Sequence, residues 1–210
     1  SMGVSLKKGQ GVSLKKTEFD LSLVTIGLGW DIHVPKSGSI NKEPDYDLDV
    51  IAFLCGQDGK VHDLGKVENG HPTLNNGDIV FFNCLNHKSG SIWLTGDNRI
   101  GDSDGDDEQI ITKLNQLPEK YTKIVFVVQI YNGTELRQSF EKVNNAYIRA
   151  TDAKGKEMVR FDLTGGVGFA DCRSMLFAEL ERKADEWHFQ AIGKPAASDT
   201  FVYWLRQYIG

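Results

Sequence analysis

Asp47-Leu48-Asp49-Val50-Ile51-Ala52-Phe53-Leu54-Cys55 alternates along its length. Leu48, Val50 and Ala52 fall on one side, and Asp47, Asp49 and Ile51 on the other. A period of two residues marks a strand with one face against a core. Gln57-Asp58-Gly59-Lys60 follows, with the chemistry of a hairpin turn. Outward from this stretch, residues 78–83, 91–94, 123–131, 146–151, 157–163, 174–180 and 186–192 read as further strands, and 21–30 is an apolar, β-branched run. The amino-terminal part holds a direct repeat, Gly3-Val-Ser-Leu-Lys-Lys8 and Gly11-Val-Ser-Leu-Lys-Lys16. Its simple reading is two short strands joined by a glycine turn. Residues 36–44 and 62–77 are polar and read as loops.

Helical patterns are few. Residues 107–117 place Ile110, Ile111, Leu114 and Leu117 on one stripe, with carboxylates in the first turn and Pro118 after it. Residues 134–143 carry Leu136, Phe140 and Val143 on one stripe, and 199–209 read as a terminal helix. Many short strands and few helices predict a mainly β protein, a β-sandwich of two sheets with a few short helices. No composition break marks a linker, so residues 1–210 are expected to form one domain, with Ser1-Met2 set aside as a cloning remnant.

Composition excludes several function classes. Of 210 residues, 40% are hydrophobic, and the 22 glycines bring the apolar share to about half, as in globular domains. The longest uncharged run, residues 124–134, is too short to cross a bilayer. No apolar leader follows a basic start. Cys55, Cys84 and Cys172 are odd in number, which argues against a disulfide framework and for a reducing, cytoplasmic setting. A net charge of −5 argues against nucleic acid and anionic membrane as direct partners.

That charge is concentrated. Asp97, Asp102, Asp104, Asp106, Asp107 and Glu108 stand against Arg99 alone, leaving 23 acidic and 23 basic residues elsewhere. Carboxylates that converge need a cation or raised pKa values. Ca2+ takes six to eight oxygen ligands from carboxylates, Asn side chains and backbone carbonyls, and the segment offers all three. The alternation of Asp and Gly favours a metal over a solvated acidic loop whose carboxylates cap the next helix. The segment is not an EF-hand: counted from Asp102, position 6 is Asp107 and position 12 is Lys113. Oxygen donors also argue against Zn2+ or copper.

These stretches resemble one family. The amino-terminal repeat, Gly27-Leu-Gly-Trp-Asp31, Tyr46-Asp-Leu-Asp-Val-Ile-Ala-Phe-Leu54 and Thr95-Gly-Asp-Asn-Arg-Ile-Gly-Asp-Ser-Asp-Gly-Asp-Asp-Glu108 carry the resemblance, with Asn145-Ala-Tyr-Ile-Arg149 and Phe161-Asp-Leu-Thr164 after them. The ordered set resembles the TerD family of bacterial tellurium-resistance and stress proteins. The resemblance implies a cytoplasmic β-sandwich that binds two Ca2+ ions near one end and has no catalytic activity. It also implies a role in tellurite and chemical stress resistance, with partners among proteins of the same operon, membrane-associated ones included. Carried over by position, the metal ligands are drawn from Asp31, Asp47, Asp49, Asn83, Asp97, Asn98, the Gly101 carbonyl, Asp102, Asp104, Asp106, Asp107 and Glu108. Some of these would orient others rather than coordinate. The chain departs from the family pattern at Ile100, Ser103 and Gly165-Gly166, and in a longer loop at 61–77, which places it on a divergent branch.

Other readings weigh less. Cys84-x-x-His87 is the one close soft-donor pair, and no Cys-x-x-Cys occurs. There is no Gly-x-Ser-x-Gly elbow for serine catalysis. Gly27-x-Gly29 lacks the context of a nucleotide loop and reads as a turn or bulge. Two alternatives stay open: a phosphohydrolase using Mg2+ on the acidic segment, and a metal-free acidic surface for a basic partner.

Overall fold

The computed structural model describes residues 3–32, 45–95, 105–163 and 169–210. Two six-stranded sheets pack face to face, as the alternating patterns predict. The first runs β1 (Val4–Leu6), β12 (Glu157–Leu163), β11 (Val143–Thr151), β3 (Val24–Ile32), β9 (Glu108–Thr112), β8 (Ile92–Leu94). The second runs β2 (Gly11–Leu14), β14 (Glu186–Ala196), β13 (Ser174–Lys183), β10 (Lys123–Ile130), β4 (Leu48–Cys55), β7 (Ile79–Val80). Neighbours are antiparallel except β1, which lies parallel to β12. Among the described residues, no helix is long and apolar enough to cross a membrane.

The alternation in β4 and β10 decides which residues face where. Leu48, Val50, Ala52 and Leu54 join Ile124, Phe126 and Val128 between the sheets. Ile51, Phe53 and Cys55 join Val125 and Val127 on the outer face of the second sheet. That outer face is covered by the carboxy-terminal segment, which contributes Phe201, Trp204 and Leu205. Both strands are buried on both faces, and so both are nearly continuous apolar runs.

Three helical expectations are corrected. Residues 107–117 form β9 and one turn, not a helix. Two β-branched residues, Ile110 and Ile111, are fully buried between β3 and β8, and sheet pairing on both sides outweighs the helical stripe. Residues 134–143 shrink to a 3-10 turn, Phe140–Lys142, capped by the Ser139 hydroxyl. The terminal helix α1 spans only Val202–Leu205.

Two smaller readings change as well. The repeat forms the two short strands expected, joined by a turn with Gly9 at φ 88°, but its copies enter different sheets, β1 against β12 and β2 against β14. Residues 62–77 are not structureless but hold a small hairpin of β5 (Val67–Glu68) and β6 (His71–Pro72).

Candidate metal centre

The end of β3, the starts of β4 and β11 and the end of β10 gather at one end of the sandwich. Trp30, Leu48, Val128 and Val143 line one internal cavity there. The acidic segment is clasped to this end at its stems. Thr95 N donates to the Gln109 carbonyl (3.0 Å) and Asp107 N to the Leu28 carbonyl (2.8 Å). Asp97, Asn98, Gly101, Asp102 and Asp104 lie outside the described residues.

Asp107 accepts the Trp30 backbone N–H on Oδ2 at 2.9 Å, which sets it beside the end of β3. Asp31 follows Trp30 and is exposed. Its Oδ2 accepts from Asn145 Nδ2 at 2.9 Å. Asn145 sits in a bulge of β11 with φ 52°, and a bulge of this kind re-aims a side chain at a sheet rim. Glu108 is half-buried at the start of β9.

Asp106 has a different environment. It is 4% exposed, on the outer face of the first sheet. Its Oδ1 accepts from the Tyr147 hydroxyl (2.6 Å) and Arg149 Nε (3.0 Å). Its Oδ2 accepts from Arg149 Nη2 (3.2 Å) and Gln109 Nε2 (3.2 Å). Four hydrogen bonds from three side chains, two of them from the Arg149 guanidinium, satisfy both oxygens without a metal ion. Burial and the bond to Asp106 push the Tyr147 phenol well above its ordinary range. The glycines of Gly27-Leu-Gly-Trp explain themselves here. They lie mid-strand in β3 rather than in a turn or bulge, and a Cβ on Gly27 would strike the Asp106 carboxylate, one on Gly29 the Tyr147 ring.

Asp47 and Asp49 share the opposite outer face, that of the second sheet. Asp49 Oδ2 accepts from Gln129 Nε2 (3.1 Å), and Gln129 Oε1 accepts the Phe201 N–H (2.7 Å). Burial pushes the Asp49 carboxyl up to about 6, against the opposing bond from Gln129. Asp47 is exposed, and its carbonyl accepts from Tyr131 N at 2.7 Å. Asn83 is exposed in the turn after β7. The neighbouring Phe82 ring lies 6.3 Å from that of Tyr131, which sets this turn on the same rim.

The structure thus places Asp107 on the Trp30 N–H next to Asp31, and sets Asp47 and the Phe82–Asn83 turn each next to Tyr131. Among the described residues, no three His, Cys, Asp or Glu side chains come together to hold an ion. The donors at the rim are all oxygens, which suits a hard cation. Tyr147, Arg149 and Gln109 were not anticipated as partners of Asp106. The signal was available: Tyr147 and Arg149 are two apart in Asn145-Ala-Tyr-Ile-Arg149, and so share one face of β11. The soft-donor pair is not a site: His87 turns to Ser89 and Asp78, and Cys84 Sγ to the Asn86 carbonyl. Cys55 is fully buried, and burial pushes its thiol up to about 12.

A TerD domain model matches residues 2–208. The chain belongs to the TerD family. It is 65% identical to the tellurium resistance protein TerX of Serratia marcescens, over 99% of this chain and all of that one. It is 40% identical to TerD of the same organism, over 92% and 91%. It is 34% identical to the stress response protein SCP2 of Bacillus subtilis, over 92% of each. The fold of this TerD-family chain matches the crystal structure of a Streptomyces coelicolor homologue of telluride resistance protein TerD, with a TM-score of 0.58 at 21% identity, covering 87% of this chain and 94% of that one.

Proposed function

We propose that this TerD-family protein binds two Ca2+ ions, performs no catalysis, and serves resistance to tellurite and chemical stress in the cytoplasm. The observation that carries the reading is the clasp of the acidic segment onto a rim of oxygen donors, with Asp107 held against the end of β3 beside Asp31. The count of two ions follows from the family resemblance. Asp31 and Asp107 would serve one and Asp47 and Asn83 the other. Asp97, Asn98, the Gly101 carbonyl, Asp102 and Asp104 would complete both shells. Asp49 and Glu108 would orient or share in these shells, whereas Asp106 anchors the segment and coordinates nothing. The names of the relatives support the stress role. Partners would be proteins of the same resistance system, membrane-associated ones included.

A thermal melt of chelator-stripped protein tests this reading, run alone, with Ca2+, and with Mg2+ at equal concentration. A rise with Ca2+ alone is expected, followed by a calorimetric stoichiometry of two. A rise as large with Mg2+ would favour the phosphohydrolase, and no rise with either would leave a metal-free acidic surface.

A further inference from the structure

At the other end of the sandwich, where β4 ends and β10 begins, an open cleft of about 600 Å3 is lined by Gly56, His62, Asp63, Asp78, Lys88 and Tyr121 among others. One wall is the loop in which this chain is longer than its family's pattern. That wall is firmly built. Asp78 N donates to the Asp63 carbonyl (2.8 Å), Lys66 N to Asn75 (3.0 Å) and Leu74 N to Leu64 (2.9 Å). A Cβ on Gly77 would meet the Gly65 backbone at 2.5 Å, so the two turns of the loop are in contact.

The floor is Asp78, 4% exposed. Its Oδ1 accepts the Tyr121 hydroxyl (2.6 Å) and His87 Nε2 (2.8 Å). His87 Nδ1 lies 2.8 Å from the Ser89 hydroxyl and 3.1 Å from the Ser89 backbone N–H, so Nε2 is the nitrogen that donates to Asp78. Asp78 therefore receives both donors on one oxygen. Among the described residues, no hydrogen bond reaches its second oxygen, and no lysine or arginine pairs with it. Of the two lysines that line the cleft, Lys88 is engaged by Asp63 and Lys120 lies over the Tyr121 ring, 5.1 Å from its centre. Buried carboxylates are ordinarily paired with a cation. Among the described residues, this one has His87 as its one ion-pair partner, and it lines a cleft.

We infer that this cleft binds a small organic ammonium ion, with the cation on the second oxygen of Asp78 and its apolar body along the cleft wall. A bare Ca2+ does not suit it, since one carboxylate oxygen falls far short of six to eight ligands.

The test uses the full chain in saturating Ca2+, so that the acidic segment at the far end is occupied. n-Butylammonium and 1-butanol are titrated at low salt while backbone amide NMR shifts are followed. Saturable shifts at Gly56 and Tyr121 with butylammonium, and none with butanol, are expected. Asp78→Asn should weaken binding at least about ten-fold, the scale of a hydrogen bond to a charged group. Lys88→Met, a change at the half-exposed cleft mouth, should strengthen binding by about three-fold or more, by removing a like charge. It remains informative if the Asp78 variant does not fold. Equal shifts from butanol, shifts confined to the acidic segment, or unchanged affinity in Lys88→Met would overturn the inference.

Discussion

A carboxylate buried on a sheet face survives only if its charge is matched where it lies. Asp106 is matched by Arg149, so removing the arginine alone strands the charge. Arg149→Leu should cost about 3 kcal/mol or more in urea unfolding of the calcium-free protein, the range for a broken buried pair. Gly27→Ala drives a methyl group into the same carboxylate and should cost about 1–3 kcal/mol as overpacking. Asp49 sets a pH dependence of opposite sign to the usual acid. Its folded pKa, about 6, lies above the unfolded value of about 3.9, so the folded state holds more protons between these two values. Stability of the calcium-free protein should thus rise as pH falls from 7 through 6 and level off near 4, as far as this group is concerned. Asp49→Asn should flatten that slope and stabilise the calcium-free protein at pH 7 by about 1 kcal/mol, given its partial exposure. A steeper slope in the variant would contradict the assignment.

At the scale of elements, the carboxy-terminal segment covers the outer face of the second sheet. Phe201 packs 6.2 Å from Phe53 and 5.4 Å from Phe81, ring centre to ring centre. Trp204 donates its indole N–H to the buried Ser174 hydroxyl at 2.9 Å. Trp204→Ala should lower stability by about 3–5 kcal/mol, measured by denaturant midpoint with an unchanged m-value. This cover could be anticipated only in part. The alternation of β4 implied one face against a core but not the burial of Ile51, Phe53 and Cys55 on the other, and the segment read as an eleven-residue helix keeps a single turn, Val202–Leu205. Helix formation is governed by what the apolar side chains can reach, and here three anchors on a flat sheet suffice. The same applies to β9, where Ile110 and Ile111 suit either a helical stripe or a two-sided strand.

For the whole molecule, the net charge of −5 is concentrated in residues 97–108, and the described stems of that segment, Thr95 and Asp107, are bonded to Gln109 and Leu28 at one end of the sandwich. If calcium neutralises it, stability becomes a function of ion concentration. At a free Ca2+ one hundred times the Kd, one site adds about 2.7 kcal/mol, and scanning calorimetry across a Ca2+ series should show Tm climbing with the logarithm of concentration. A Tm independent of Ca2+ would remove the proposed linkage. The sequence by itself determined the β-sandwich, because two-residue alternation has one geometric meaning wherever a face is buried. It also determined the family and the concentration of acid in one segment, because motif order and charge are local properties. Only the tertiary structure decided which acids are available. Asp106 and Asp107 are adjacent in the chain, yet one is locked by Arg149 and Tyr147 and the other meets the end of β3. Sequence neighbours on a strand edge point to opposite sides, and the partners that wait on each side come from residues some forty to eighty positions away.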